Sequence, residues 1–464
     1  MKLGLGLSQS TGGGSSAPAD PYASLLALFA ADEPGEVWPV HEDYLFTDTA
    51  CTTPVGSVGV EVLGWLGAKY GIKFTNNVAG AKPRYARIPV GGWTNHFLYS
   101  KTLSNTIWSK TRVTVTGGQA DPDGGTEAWL LEGTGTGNAC NITQGPDRGN
   151  GDHTYSWIVK AGNVNRMLVT LLRAAGWSDN VFDASTGTWP VQGPGVTRNQ
   201  VDLGDGWWEI SLTHNSARVD PVYLIGPLNN NGTAFNSTTA GNNIYIYHPM
   251  LNRGTSRATY EEREDVLGTN LPVDDTTVAA LYFEGSTDYM VSSSINFTGT
   301  DKITVWTVWD KHNRENNYGA IVELSNNPPS TAGSFIVIEN GASASAGNVW
   351  FGVNGNTTYE RYLTQSTPAQ SRNIISVAFD ISAGANAITA NVKDNLGEYT
   401  ALTTAVGTTP GTGNFGNHPL YIGSRGGGTT LEAMGYMSGA LVVLGRAPTG
   451  TEFADIGATI EGLV

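Results

Sequence analysis

Tryptophans in turn-rich stretches are the residues of this sequence with the clearest binding chemistry, because sugars stack their C–H faces on indole rings. Two of them lie in the middle of the chain, close to an arginine and an aspartate that could bind sugar hydroxyls. Binding residues accumulate in irregular stretches between strands. The pattern predicts a ligand site formed by Arg173, Trp177, Asp179 and Trp189. The alternative is that each indole packs in a core or an interface.

A second candidate ligand site lies nearer the C-terminus. Trp350, Tyr359 and Arg361 fall on or just after a predicted strand, next to the turn residues Asn354-Gly355-Asn356. Aromatic and guanidinium groups at such a loop end suit the same class of ligand. We therefore expect these three side chains to contribute to sugar binding.

Metal-binding and catalytic patterns are weak. The histidines show no pair at metal-ligand spacing, and the sequence has no Gly-x-Ser-x-Gly motif. Asp121, Asp123 and Glu127 could gather around calcium, but the favoured interpretation is a turn in which Asp side chains cap backbone amides. The acidic run at 261–265 is expected to be a solvated linker. Glycan hydrolysis needs two carboxylates on one sheet face, and no such spacing occurs near the C-terminal strands. We expect no enzyme activity, metal or cofactor, and leave calcium open.

Charge and composition exclude other partners. The 464 residues carry a formal charge of −15, with only 14% charged residues and 60 glycines. An acidic chain does not suit nucleic acid or an anionic membrane surface. No apolar run approaches the length of a membrane span. The apolar stretch Tyr22–Ala31 follows a long Gly/Ser-rich segment, which is the wrong order for a signal peptide.

The elements between the candidate sites read as strands. Short runs with period-two alternation are separated by glycine turns, which is typical of sandwiches and jelly rolls. The sequence predicts an all-β chain: two antiparallel jelly-roll or β-sandwich domains in tandem, at 93–257 and 271–464. Residues 22–92 are irregular and are expected to form a small collar where chains pack together.

Residues 1–21 form an unusual tail. Leu3, Leu5 and Leu7 alternate with glycines, and a Gly/Ser/Pro linker follows. A strand with one leucine face and one bare face buries nothing alone, but it can join the sheet edge or a groove of a partner. We expect an N-terminal anchor; the alternative is a frayed terminus.

The C-terminal segment resembles the concanavalin A-like lectin and laminin-G jelly rolls. The resemblance covers most of residues 278–464 and rests on the pieces Leu281–Met290, Thr304–Trp309, Leu420–Arg425 and Gly439–Arg446. It implies a fold and is a poor guide to the ligand, because this fold serves lectins, hydrolases and adhesion modules.

The middle segment resembles a carbohydrate-binding-module-like jelly roll found in bacteriophage virion proteins. The matching pieces are Phe97–Val115, Ala120–Glu127, Tyr155–Ala161, Asp205–Thr213 and Ile246–Gly254. Phage particle proteins with this domain often begin with a Gly/Leu-rich tail and carry a stretch similar to Leu45–Leu63 before it. The order of segments here is the same.

The resemblance implies a virion protein, assembled in the host cytoplasm. We expect a spike or fibre that is bound to other head, portal or tail proteins through its N-terminus and that contacts host-surface glycans. A homotrimer is expected, since closed symmetric oligomers are usual for spikes. The alternatives are a structural decoration protein without sugar binding and, less favoured, a polysaccharide depolymerase. Head or tail location stays open.

Overall fold

The computed structural model describes most of the chain. The described residues are 22–30, 32–137, 139–146, 151–173, 176–216, 222–234, 237–285, 287–311, 318–326, 331–339, 348–363, 372–394, 397–425 and 430–464. Leu3, Leu5 and Leu7 of the predicted anchor lie outside them. No helix in these ranges is long and apolar enough to cross a membrane.

Residues 22–92 contain one short helix, α1 (Ala23–Leu26), one 3-10 turn (Glu42–Tyr44) and short strands, counted over the described residues. The strands are β1 (Gly35–Pro39), β2 (Leu45–Phe46), β3 (Gly64–Leu66), β4 (Lys73–Thr75) and β5 (Arg84–Pro89).

The middle unit is an antiparallel sandwich. Its strands are β6 (Ser109–Thr111), β7 (Val113–Gln119), β8 (Ala128–Gly133), β9 (Asn141–Gln144), β10 (Gly151–Ala161), β11 (Arg166–Arg173), β12 (Gly176–Asp183), β13 (Thr188–Val191), β14 (Thr197–Gly204), β15 (Trp207–Ser216), β16 (Val222–Pro227) and β17 (Asn243–Arg253). Sheet M1 has the order β14-β15-β10-β17-β8-β7, and sheet M2 the order β13-β12-β11-β16-β9-β6. Aromatic side chains such as Trp108, Tyr155 and Trp157 fill the core between them.

The C-terminal unit is a larger antiparallel sandwich. Its elements are β18 (Thr277–Glu284), β19 (Met290–Ser292), β20 (Ile295–Asn296), β21 (Lys302–Lys311), β22 (Gly319–Leu324), β23 (Ser334–Glu339), β24 (Val349–Asn354), β25 (Thr358–Leu363), β26 (Arg372–Asp380), a 3-10 turn (Ile381–Asn386), β27 (Ile388–Asp394), β28 (Gly397–Tyr399), β29 (Leu402–Val406), β30 (Asn417–His418), β31 (Leu420–Ile422), β32 (Met434–Leu444) and α2 (Gly450–Glu461). Sheet C1 has the order β28-β27-β26-β21-β32-β18-β5, and sheet C2 the order β2-β3-β4-β19-β31-β22-β23-β24-β25-β29. The prediction of an all-β chain of antiparallel sandwiches is confirmed.

Residues 22–92 differ from the predicted collar, because their strands extend both C-terminal sheets. β5 pairs with β18 and β1 with β32 in C1, while β4 joins β2 and β3 to β19 in C2. Trp38, Trp65 and Phe74 of these strands lie in the same core as β21 to β26. Seventy residues cannot bury such large side chains alone, so they complete the sandwich. The middle unit is therefore inserted between two neighbouring strands.

Short elements cover the outer face of C1. Tyr22, Leu25 and Phe29 pack there together with Ile456 and Ile460 of α2. The helix α2 begins with a capping box, because Thr449 caps the backbone N–H of Glu452 and Glu452 accepts the N–H of Thr449.

The charged linker before β18 is not the solvated run that the sequence predicted. Arg263 is buried and lies 4.7 Å above the ring of Trp93. Glu264 accepts the backbone N–H groups of Lys101 and Thr102, at 2.7 and 3.2 Å. These contacts bind the linker to the middle unit, because buried charges need partners.

Candidate functional site

A shallow depression, open to solvent, lies on the outer face of C2 over strands β22 to β25; the empty space of about 310 Å³ over it includes open solvent. Side chains alternate between the two faces of a strand. On β24 this alternation places Trp350, Gly352 and Asn354 outside and their neighbours in the core. The hairpin β24–β25 pairs Trp350 with Tyr362 and Gly352 with Glu360. One face of the hairpin therefore carries aromatic, carboxylate and amide groups together.

Trp350, which lines the depression, and Tyr362, its partner on the next strand, stack on each other at the side of the depression. Their rings are 9° from parallel, with centroids 5.6 Å apart, and Tyr318 meets Trp350 edge-on at 6.0 Å. Both Trp350 and Tyr362 are partly exposed. A stacked pair leaves ring edges and the uncovered part of a ring face for the apolar side of a ligand. We call this pair the aromatic platform.

Gly352 forms the floor of the depression. A Cβ atom at this position would lie 2.9 Å from the Cγ2 methyl of Ile336, which is closer than real Cβ contacts. Any larger residue would also project into the space between the platform and the polar rim. The glycine therefore keeps the depression open.

The polar rim has one engaged carboxylate and one without a partner. Arg425 Nε donates to Glu323 at 2.9 Å, and Glu323 is only 1% exposed. Glu360 is half-buried, and burial raises the pKa of its carboxyl, while the charge of Arg425 acts to lower it. Within the described residues, the Glu360 carboxylate makes no hydrogen bond or ion pair. It is thus the carboxylate that the rim offers to a ligand.

Neutral polar groups complete the rim. Ser334, Asn354 and Thr358 line the same depression, and Asn354 Nδ2 lies 3.4 Å from Thr358 Oγ1. An aromatic side chain next to hydroxyl, amide and carboxylate groups can contact the apolar side of a sugar ring while the polar groups bind its hydroxyls.

The three residues predicted to bind a ligand in the C-terminal unit lie on opposite faces of sheet C2. Trp350 lies in the platform. Tyr359 is 1% exposed in the core and donates to the Ala385 carbonyl at 2.6 Å. Arg361 points to the same inner side, where it donates to the Leu402 carbonyl at 2.9 Å. The prediction was wrong for the latter two, because residues of odd number on β25 face inward.

The middle-unit candidates lie in regular strands, not in a loop. Trp177 is 48% exposed and shares one face of β12 with Asp179, which accepts the Thr170 hydroxyl at 3.0 Å. Trp189 is 8% exposed, packs on Phe182 with ring centroids 5.0 Å apart and belongs to the core. A ligand beside Trp177 would not reach it, so the pairing of these two indoles was wrong. The side chain of Arg173 is outside the described part of the chain.

The aspartates considered for calcium bind the backbone. Asp121 accepts the N–H groups of Asp123, Gly125 and Glu127 at 3.0, 2.8 and 2.9 Å. Asp123 accepts the hydroxyl of Tyr247 at 3.1 Å. In the ranges that the structure describes, no group of three or more His, Cys, Asp or Glu side chains could hold a metal ion. The capped turn accounts for the motif.

The sequence analysis did not select Glu360 and Tyr362, although the register of the β24–β25 hairpin would have indicated both. A hairpin closed by Asn354-Gly355-Asn356 sets the register, and that register places Tyr362 opposite Trp350 and Glu360 opposite Gly352. The Glu323–Arg425 pair joins residues about a hundred positions apart, and no local pattern indicates such a contact.

No protein-family model matches the sequence, and no curated protein matches it. Among solved structures, the chain is similar to a heptameric SAP-like pentraxin from Limulus polyphemus (13% identity, 38% of this chain and 81% of that chain, TM-score 0.29). It is also similar to the CBM40 of the Ruminococcus gnavus IT-sialidase bound to sialyllactose (14%, 34% and 83%, TM-score 0.25) and to domains LG4-5 of the mouse laminin α1 chain (10%, 67% and 89%, TM-score 0.24). Likenesses at these TM-scores say nothing about the ligand of this chain.

Proposed function

We propose that this chain is a glycan-binding protein and that the depression on C2 is its binding site. The aromatic platform of Trp350 and Tyr362, next to the unpartnered carboxylate of Glu360, carries the proposal. A sugar ring stacks one face on the platform, and its hydroxyls bond to Glu360, Asn354 and Thr358. Pockets for small ligands combine such an aromatic wall with a few placed polar groups.

We propose that the site binds a glycan without cleaving it. Glu323 is held by Arg425 and almost fully buried, so it is poorly placed to activate a water molecule. Hydrolysis of a glycosidic bond needs a second carboxylate in reach of the substrate. A depolymerase would release reducing sugar from host polysaccharide, and we expect no release.

Trp350→Ala tests the site. Loss of the indole removes half of the platform, and we expect glycan binding to weaken at least about tenfold. Binding is measured on a glycan array and by calorimetry with the oligosaccharides that score. Trp177→Ala is the matched control, because it removes an exposed indole from the middle unit instead.

The fold of each variant is checked by near-UV circular dichroism, and Trp350→Leu serves as a second variant that keeps an apolar side chain. Unchanged binding by a folded Trp350→Ala chain would contradict the site. Weaker binding by Trp177→Ala alone would move the ligand to the face of β12 that carries Trp177 and Asp179.

We further propose that the protein is a bacteriophage spike or fibre, a homotrimer attached to the virion through residues 1–21. Two observations support the attachment: the resemblance of the tail and the middle segment to phage particle proteins, and the position of Tyr22. Residues 22–29 pack on the outer face of C1, whereas the depression opens on C2. A tail that leaves from one side would hold the glycan site toward the host.

Replacing Leu3, Leu5 and Leu7 by serine tests the attachment. The variant removes the leucine face of the tail and should stay soluble and bind glycan, but should no longer be incorporated into particles. Incorporation is measured by immunoblotting purified virions. Serine at Gly4 and Gly6 is the control and should be incorporated. Normal incorporation of the leucine variant would refute the anchor and favour a frayed terminus.

A further inference from the structure

We infer that the depression on C2 selects saccharide units without a negative charge and rejects sialic and uronic acids. The inference rests on the proposed function, because it concerns the ligand class of the same site. Glu360 is the selecting residue: its carboxylate accepts hydroxyl donors and repels an acidic group.

Among the described residues that line the depression, negative charge exceeds positive charge. Among the described residues that line it, the charged ones are Glu323, Glu360 and Arg425. Arg425 and Glu323 neutralise each other across 2.9 Å. The net charge of the described rim is therefore that of Glu360.

The charge of Arg425 is already balanced by Glu323. Its Nε bond satisfies Glu323, whose side chain is only 2% exposed. Withdrawing the guanidinium would leave a buried carboxylate unpaired, which is strongly unfavourable. An acidic sugar would thus meet a rim whose described residues carry a net negative charge.

Glu360 adds a repulsive element to this arrangement. It lies beside Gly352 in the register and faces the open space above it, with no protein donor among the described residues. A half-buried carboxylate without a partner accepts the hydroxyls of a neutral sugar well. The same carboxylate disfavours a second negative charge a few ångströms away, and specificity often depends on such unfavourable contacts.

The test uses an array of matched oligosaccharides, each printed with and without a terminal sialic or uronic acid. For the wild-type chain, we expect the neutral member of each bound pair to bind at least about tenfold more tightly. Glu360→Gln removes the charge and keeps the size, so the ratio should fall to within about threefold. Asp455→Asn is the matched control: it makes the same charge change on an exposed site of α2 and should keep the wild-type ratio.

Tighter binding of the acidic members by the wild-type chain would overturn the inference while leaving glycan binding intact. An unchanged ratio in Glu360→Gln would also overturn it, because the selection would then come from another group. If the wild-type chain and Trp350→Ala bind no member of any pair, the proposed function fails, and this inference fails with it.

Discussion

Asp288 is a buried carboxyl group whose charged form is disfavoured in the folded protein. It is 2% exposed, and Oδ2 accepts the backbone N–H of Glu284 at 2.9 Å. Burial raises the pKa of the Asp288 carboxyl from 3.8 to about 6. Because the folded value lies above the unfolded one, the contribution of Asp288 to stability is full below about pH 4 and is lost as the pH rises through 6.

Asp288→Asn should therefore stabilise the protein at neutral pH and have little effect near pH 4. The shift in pKa corresponds to about 3 kcal/mol at pH 7 and above. The measurement is the free energy of unfolding in urea at several pH values, taken as the difference between variant and wild type. Asp455→Asn, on the exposed side of α2, should show no such trend. A difference that does not grow between pH 4 and 7 would contradict the assignment.

Single residues also show where reasoning from sequence succeeds and fails. Trp350 was found as an aromatic residue in a strand next to a turn, and it lies in the platform. Tyr359 and Arg361 have side-chain types that suit a ligand, but they face inward. Their neighbours Glu360 and Tyr362 lie on the outer face of C2 that carries the depression. The predicted residues are one position away from those on the outer face, because side chains alternate between the two faces of a strand. A prediction of the hairpin register would have corrected this.

At the scale of elements, local pattern predicted the strands and not their partners. Period-two alternation and glycine turns depend on neighbouring residues, so the all-β class and the two sandwich units could be predicted. The pairing of β5 with β18 joins segments separated by the whole middle unit. Local sequence patterns do not indicate contacts between such distant segments. For this reason the sequence analysis predicted an irregular collar for residues 22–92.

That pairing predicts that the middle unit can be removed. In a shortened chain, Gly92 is joined directly to Leu271. One short loop then connects Pro89 to Thr277, and these two residues are already register partners. We expect this shortened chain to fold and to keep the glycan binding of the depression. It should lose about 2 kcal/mol of stability, since Leu267 no longer covers C1. Thermal unfolding and the glycan array measure both effects.

The control is residues 271–464 alone, which lack β1 to β5. This fragment should not fold cooperatively, because it exposes the part of the core that Trp38, Trp65 and Phe74 fill. Cooperative unfolding of the fragment with the stability of the shortened chain would show that the N-terminal strands are dispensable.

At the scale of the whole molecule, the two outer faces of the C-terminal sandwich differ in what lies on them. The segment that follows the tail is fixed to C1 by apolar packing and by Arg446, which pairs with Glu33 at 2.8 Å and donates to the Leu28 carbonyl at 3.1 Å. The depression lies on C2.

The packing of Tyr22, Leu25 and Phe29 on C1 has a mechanical consequence. Tension between a fixed tail and a held ligand would first load this small contact, and next the β1–β32 ladder, which runs from Gly35 opposite Leu444 to Pro39 opposite Ala440. The contact could detach and lengthen the tether while the ladder, the core and the depression stay intact. In the virion attachment that we propose, this detachment would lengthen the connection and lower the force on the folded sandwich.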